Sequence, residues 1–409
     1  MNVASPVTHL DRASSRATTR VIRTSEEALA VARELAPALA AGASERDRER
    51  RLPHEEVRQF VRSGLWGIGI RPEFGGAGAS LETIIEVVAT ISEADPSIGQ
   101  LPQNNYLLLE NLNRIGTEQQ KRFFFAEVLR GKIIGNAFAE AGGRDVQDIR
   151  SRISRTAKGL RLNAHKVYCT NALFADWIPI SGVDDDGNIV YAYVERDAVG
   201  LSVVDDWNGF GQRTSASGTV IAEDVAVNPA HVVERHKSFS SPSLSGPFAQ
   251  LLHAAIDLGI ARASFAEAVR LARAASRPWI DSGVERPQDD PHTIAALGDL
   301  QIRVHAASAM VERAARITDS VREHHDEADV AHASVAVAEA KVLANDTALF
   351  ASSKLFEFGG ANSARTSLNL DRHWRNARTH TLHDPVRWKY HLIGNYVLNE
   401  RNPPLHNWA

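Results

Sequence analysis

Asp184-Asp185-Asp186-Gly187-Asn188, followed by Ile189-Val190-Tyr191-Ala192-Tyr193-Val194, decides the fold of this chain. The first five residues are turn formers. Aspartate and asparagine bond to nearby backbone, and glycine accepts the left-handed conformation that tight turns need. The next six are mostly β-branched or aromatic, the composition of a strand. Leu160-Arg161-Leu162-Asn163 is another short alternating run. Together they predict a small β-domain over residues 136–240, with a hairpin turn at 184–188. Three aspartates in one turn also suggest a calcium loop, but the later ligands of that spacing are absent and the turn reading is preferred.

The period is helical on both sides of this β-segment. Thr24-Ser25-Glu26-Glu27 is a capping box ahead of Leu29, Ala32 and Leu35. Pro37 is expected to kink or end that helix. Further helices are expected over Leu81–Ile91 and Glu118–Leu129. Gly75-Gly76-Ala77-Gly78 lacks dinucleotide-fingerprint spacing and reads as a turn. After Pro247, long helices are expected at 247–276, 292–322 and 328–356, with another at 387–398. The expected organisation is a loose tail at 1–23, an N-terminal helical domain at 24–135, a β-domain at 136–240, and a C-terminal four-helix bundle at 241–409. The fold class is α+β.

Bulk properties narrow the function. The chain has 409 residues, 44% of them hydrophobic, enough for a sizeable core. A net charge of −4 argues against a nucleic-acid partner. No apolar run is long enough to span a membrane. The Ser/Thr/Arg-rich N-terminus lacks the apolar core of a secretory signal, so a cytoplasmic location is expected. The single cysteine, Cys169, excludes an internal disulfide and a thiolate metal cluster, and reads as a core residue.

Chemistry-bearing side chains gather near the C-terminus. Asp371 to Tyr390 holds His373, His380 and His383, Arg372, Arg375, Arg378 and Arg387, and Trp374 and Trp388. Histidine changes charge near neutral pH, and arginine forks onto phosphate or carboxylate. Pro385 biases Asp384 out of helical geometry, so the stretch reads as a polar loop between two apolar helices. His380, His383 and Asp384 are metal-ligand types, but nothing completes an open metal site, and no metal is expected.

Several segments resemble the acyl-CoA dehydrogenase superfamily, in order. They are Gly64-Leu65-Trp66-Gly67-Ile68 with Pro72-Glu73-Phe74-Gly75-Gly76, Phe138-Ala139-Glu140, and Lys166-Val167-Tyr168-Cys169-Thr170-Asn171. Gly211-Gln212-Arg213-Thr214-Ser215, Gly359-Gly360 and Arg375-Asn376-Ala377-Arg378 complete the series. Dehydrogenases of the family commonly carry Tyr-Glu-Gly-Thr after the last arginine, where the glutamate is the base. Here His383-Asp384-Pro385-Val386 stands instead. Thr379-His380-Thr381-Leu382-His383-Asp384-Pro385 resembles the flavin-dependent monooxygenase branch. That branch includes dibenzothiophene monooxygenase and the SfnB-type sulfur-acquisition oxidoreductases.

The resemblance implies a two-component monooxygenase. It would take reduced FMN from a separate NAD(P)H-dependent flavin reductase, form a C4a-hydroperoxyflavin with oxygen, and oxygenate a small organosulfur compound. A homotetramer is implied. His383 would act at the flavin, Asp384 would orient it, His380 would be a second family histidine, and Thr170 would bond the flavin edge. Asn136, Phe138, Ala139, Tyr168, Arg213, Ser215, Arg277, Gly359 and Gly360 would hold the cofactor, with Arg277 reaching a neighbour's flavin. Asn104 and Asn105 lie where related desulfurising enzymes carry an active-site histidine, and Trp207 and Phe210 would wall the substrate pocket. Two alternatives remain open: an FAD-dependent acyl-CoA dehydrogenase using Asp384 as base, and a non-catalytic flavin-binding protein.

Overall fold

The computed structural model describes residues 19–275 and 277–408. Most of the expected tail, residues 1–18, lies outside the described residues. Residues 20–22, expected to belong to it, are packed: the Arg20 amide donates to the Arg62 carbonyl at 3.0 Å, and Ile22 is buried.

The N-terminal part is helical: α1 (Ser25–Ala40), α2 (Ala43–Glu49), α3 (His54–Arg62), α4 (Leu81–Ala94), α5 (Pro96–Ile115) and α6 (Glu118–Leu129). Thr24 caps α1 by accepting from the Glu27 amide, as the capping pattern predicts. Pro37 does not break α1; it sits in the last turn, and the helix ends three residues later. Residues 75–78 form a turn, with Gly75 at φ 92° and the Gly78 amide donating to the Ile70 carbonyl at 2.7 Å.

Seven strands follow: β1 (Arg152–Thr156), β2 (Gly159–Cys169), β3 (Trp177–Val183), β4 (Ile189–Glu195), β5 (Leu201–Val204), β6 (Gly218–Val227) and β7 (Val232–Val233). They form one sheet in the order β5-β6-β2-β1-β3-β4-β7, antiparallel except between β1 and β3. The 184–188 turn closes the β3–β4 hairpin. The Asp184 carboxylate is used on the turn's own backbone, accepting from the Asp186 and Asn188 amides. Residues 177–182 and 190–194 are buried on both faces, so the run at 189–194 does not alternate in polarity. One cover is α6, whose Phe124 ring lies 4.4 Å from that of Tyr193. In β2 the register to β6 shifts between Lys166 and Cys169, and Tyr168 takes φ 55°. This irregularity breaks the alternation. Tyr168 is thrown outward to 66% exposure, while Cys169 and Thr170 stay buried.

The C-terminal part has three long helices, α7 (Ser245–Ala274), α8 (Pro291–Ser320) and α9 (Glu327–Gly359), and two short ones, α10 (Asp371–His380) and α11 (Arg387–Asn399). The four helices expected from sequence are present as α7, α8, α9 and α11, and α10 packs on α9 and α7 as a fifth. Every residue of α7 from Ser245 to Ala261 is buried, because it packs on α9, α8, α4 and α5 together.

The polar loop expected from residue 371 is largely a helix. His373, Asn376, Ala377 and His380 fall on one face at helical spacing, and all four are buried. They are mostly polar, so an apolar-periodicity reading misses them. The loop proper is confined to residues 381–386.

The β-domain meets α10 at Gly211. A Cβ there would overlap the Arg375 carbonyl and lie 2.7 Å from Thr379 Oγ1. Gly211→Ala should therefore cost about 1–3 kcal/mol, the range for an overpacked site, in urea unfolding. Unchanged stability would show that this contact is not tight.

Candidate active site

Three elements build the site. Helix α7 supplies Gln250, His253 and Asp257 on successive turns of one face; α9 supplies Lys341; α10 and its loop supply His380, His383 and Asp384. The His380 and Asp257 side chains are each 1% exposed, and His380 Nδ1 lies 2.6 Å from Asp257 Oδ1. His380 Nε2 lies 3.1 Å from His253 Nδ1. The His253 ring in turn lies against that of His383, with centroids 3.9 Å apart and planes inclined by 34°. His380 is thus in the interior, facing α7, not on the surface.

Asp384 is 6% exposed and ion-paired with Lys341, itself 3% exposed. Lys341 Nζ also donates to Gln250 Oε1 at 2.5 Å. His383 Nδ1 lies 3.3 Å from Asp384 Oδ1. Burial works to raise the Asp384 carboxyl, but the hydrogen bond with His383 and the Lys341 charge outweigh it and hold the group below the usual carboxylate range. A carboxylate accepts and does not donate, so it takes the Nδ1 hydrogen of His383 and leaves Nε2 free. Burial leads in lowering the His383 imidazole, opposed by Asp384. The ring is 41% exposed on its open side, so solvent screens part of that push. His253 is lowered well below its ordinary value, by burial first and then by the charges of His383 and Lys341.

The β-domain contributes a hydroxyl ladder. Thr170 Oγ1 and Ser217 Oγ are 2.8 Å apart, Ser217 and Ser215 Oγ are 2.8 Å apart, and Ser215 Oγ donates to the Gln212 carbonyl at 2.9 Å. The Gln212 amide donates to Asn376 Oδ1 at 2.7 Å, which ties this ladder to α10. Four buried polar atoms around the turn have no partner among the described residues: Oε1 and Nε2 of Gln212, Oδ1 of Asn171 and Oγ1 of Thr379. Buried polar groups are ordinarily satisfied. The turn is therefore short of hydrogen-bonding partners, and the alternating N–H and carbonyl edge of a flavin ring has the chemistry to supply them.

The other expected cofactor residues divide into two groups. Asn136 is buried, the Phe138 carbonyl accepts from Lys166 Nζ at 3.3 Å, and Ala139 accepts from the Val167 amide at 3.0 Å, so Phe138 and Ala139 border the Lys166–Thr170 segment. Arg213 lines a shallow pocket of about 480 Å³ with Arg50, Asp205, Trp207 and Phe210. Tyr168 meets Trp207 edge-on at 6.1 Å. Arg277, Gly359 and Gly360 lie elsewhere. Arg277 is exposed beyond the end of α7, and Gly359 packs near Leu271. At 1.5 Å per residue, the end of α7 is roughly 30 Å from His253. One subunit does not bring these three to His383.

Asn105 is also not at the site. It is fully buried and its Nδ2 donates to the Trp66 carbonyl at 2.8 Å, deep in the N-terminal helices. Its neighbour Asn104 is half-buried. Phe210 is 49% exposed and stacks on Trp374. The larger cavity, about 520 Å³, lies beside Arg372, His373 and Asn376, and neither His380 nor His383 lines it. Sequence reading did not assign His253, Asp257, Gln250 or Lys341. Their one signal was polarity inside otherwise Ala- and Leu-rich helices. Among the described residues no group of three or more His, Cys, Asp or Glu side chains is arranged so that it could hold a metal ion.

Residues 24–132 match the family of acyl-CoA dehydrogenase N-terminal domains, and residues 251–388 match that of acyl-CoA dehydrogenase C-terminal domains. The chain is 33% identical over 392 residues to a dibenzothiophene monooxygenase of Rhodococcus erythropolis, covering 92% of this chain and 94% of that protein. It is 32% identical to a probable FMNH2-dependent monooxygenase, SfnC, of Pseudomonas putida, covering 92% of this chain and 96% of that protein. The crystal structure of FMN-bound TdsC from Paenibacillus sp. A11-2 superposes with a TM-score of 0.89 at 32% identity, covering 93% of this chain and 100% of that one.

Two stability measurements check the electrostatics. Lys341→Met leaves Asp384 buried without its cation and should cost about 3–5 kcal/mol. The double variant Lys341→Met/Asp384→Leu should recover most of that loss; no recovery would mean that the charges are not coupled. Lys389, 2% exposed, donates to the Trp408 carbonyl at 2.6 Å and is lowered to about 7 by burial first and then by the charge of Lys341. An unfolded lysine titrates near ~10.4. Between these values the unfolded chain binds more protons, so stability should rise with pH from about 7 towards 10. Lys389→Met should abolish that rise in denaturation curves.

Proposed function

The chain belongs to the acyl-CoA dehydrogenase family, and on that premise we propose that it is a flavin-dependent monooxygenase that uses reduced FMN and dioxygen to oxygenate a small organosulfur compound. The observation that carries this is His383: a partly exposed imidazole, its Nδ1 on a carboxylate that Lys341 keeps ionised. Such a ring exchanges protons through Nε2 while its orientation is fixed. Relatives of similar length point the same way, one named for FMNH2 and another solved with FMN bound.

Reduced FMN, when bound, supplies the electrons that activate dioxygen. Thr170 and the Ser217–Ser215 hydroxyls, together with Gln212, would hold the flavin ring. Phe138, Ala139 and Tyr168 would line it, and Arg213 would offer a guanidinium to the phosphate. Trp207 and Phe210 wall the substrate side. His383 moves the proton, and Asp384 orients His383.

A dehydrogenase reading needs a carboxylate ready to take a proton from carbon. Asp384 is buried in an ion pair that favours its charged form, so it is a poor base. A separate NAD(P)H-dependent reductase supplies the reduced flavin, because the chain carries no nucleotide fingerprint of its own. The same proposal includes a cytoplasmic location, where reduced flavin is made, and a homotetramer. The placement of Arg277, Gly359 and Gly360 supports the tetramer: far from their own subunit's His383, they are free to serve a neighbour's FMN.

His383→Ala should fold and still bind reduced FMN, yet lose about 10²–10⁴-fold in turnover with dibenzothiophene or a sulfinate, releasing hydrogen peroxide instead. Wild-type turnover by this variant would end the proposal. Anaerobic fluorescence titration should show tighter binding of reduced than of oxidised FMN. Tightly held FAD that an acyl-CoA reduces directly would restore the dehydrogenase. Light scattering should show a tetramer, and Arg277→Ala should weaken FMN binding without unfolding the protein; an active monomer would contradict the shared site.

A further inference from the structure

His253 and Asp257 lie one turn apart on α7, both facing α10. Asp257 Oδ1 is 2.6 Å from His380 Nδ1, so that nitrogen carries the hydrogen. A neutral His380 then offers Nε2 as an acceptor, and His253 Nδ1, 3.1 Å away, donates to it. The two rings are aligned head to tail and anchored on a carboxylate that is itself 1% exposed. The last ring of the chain is the one that lies against His383, at 3.9 Å and tilted by 34°.

We infer that His253 is a positioning residue for His383: a neutral imidazole plate, fixed in plane by the Asp257–His380 pair, against which the reactive ring is held. Two cations at this separation would repel strongly, so the pair carries at most one positive charge. The groups facing His253 decide which ring carries it. They are His380 on α10, His383 and Asp384 on the loop, and Lys341 on α9. Lys341 lies close enough to disfavour a charge on His253, and burial acts the same way. His383 is partly exposed to solvent and hydrogen-bonded to Asp384, so the charge belongs to His383. Only a proton moves, between His383 Nε2 and the ligand or water, and His253 stays neutral throughout. An Nδ1-protonated His253 also cannot rotate without breaking its bond to His380, so the plate keeps His383 from tilting.

The consequence for turnover rests on the function proposed above; the arrangement of the rings does not. The test therefore has two arms. Nitrogen-15 NMR of the flavin-free protein, labelled at histidine, should show His253 and His380 as neutral Nδ1–H tautomers while His383 titrates. An Nε2–H or doubly protonated His253 would overturn the inference. In the kinetic arm, His253→Ala should lose about 10²-fold in turnover through a misplaced His383, with reduced-FMN affinity unchanged. His253→Phe keeps a flat neutral ring but cannot donate to His380, so it should recover only part of that turnover. A His253→Ala variant as fast as wild type, or a His253→Phe variant as slow as His253→Ala, would overturn it. A wild-type protein that oxygenates no organosulfur compound would defeat the functional reading alone, and the NMR arm would still decide the ring arrangement.

Discussion

Lys341 and Asp384 are both nearly out of water, and the site is arranged around their charges. Taking two ions from water into a protein interior costs several kcal/mol each, recovered only when their remaining bonds are made. Here they are made by Gln250 from α7 and His383 from the loop. The pair therefore fixes three elements relative to one another: α7, α9 and the 381–386 loop. It also explains why proline is tolerated after Asp384. The loop needs no permissive backbone there, because the carboxylate anchors it from the inside.

The second constraint is the contact between the β-domain and α10. Gly211 brings the 211–215 turn onto the Arg375 carbonyl, and Asn376 accepts from the Gln212 amide. The hydroxyl ladder from Thr170 is thereby held in register with the histidines. Each half alone is a set of ordinary polar side chains. Joined through α10, the hydroxyl ladder and the histidine cluster are held by one helix. The packing of α7 makes this rigid, since its first half is enclosed by four other helices and polar residues placed on it have little freedom to move.

The sequence by itself determined the layer order. Alternating and turn-rich segments between Ala-rich helical ones leave few other ways to bury the chain, and the hairpin at 184–188, α6 and the three long helices were legible from local pattern. His383 stood out by its unusual neighbourhood and by resemblance, and the structure sets it beside Asp384 and His253. Helix α10 was not legible as a helix, because its buried face is made of His373, Asn376 and His380, and polarity hides a period that depends on apolar residues. Nor was the burial of Asn105 inside the N-terminal core, since a lone asparagine looks the same whether it meets a ligand or a backbone carbonyl. Only the tertiary structure decided which polar residues meet. Gln250, His253 and Asp257 are separated from His380, His383 and Asp384 by more than a hundred residues, and Lys341 comes from a third helix. Local sequence reports propensity and period. The partner of a buried charge is chosen by packing, where an unpaired ion costs more than any local preference returns.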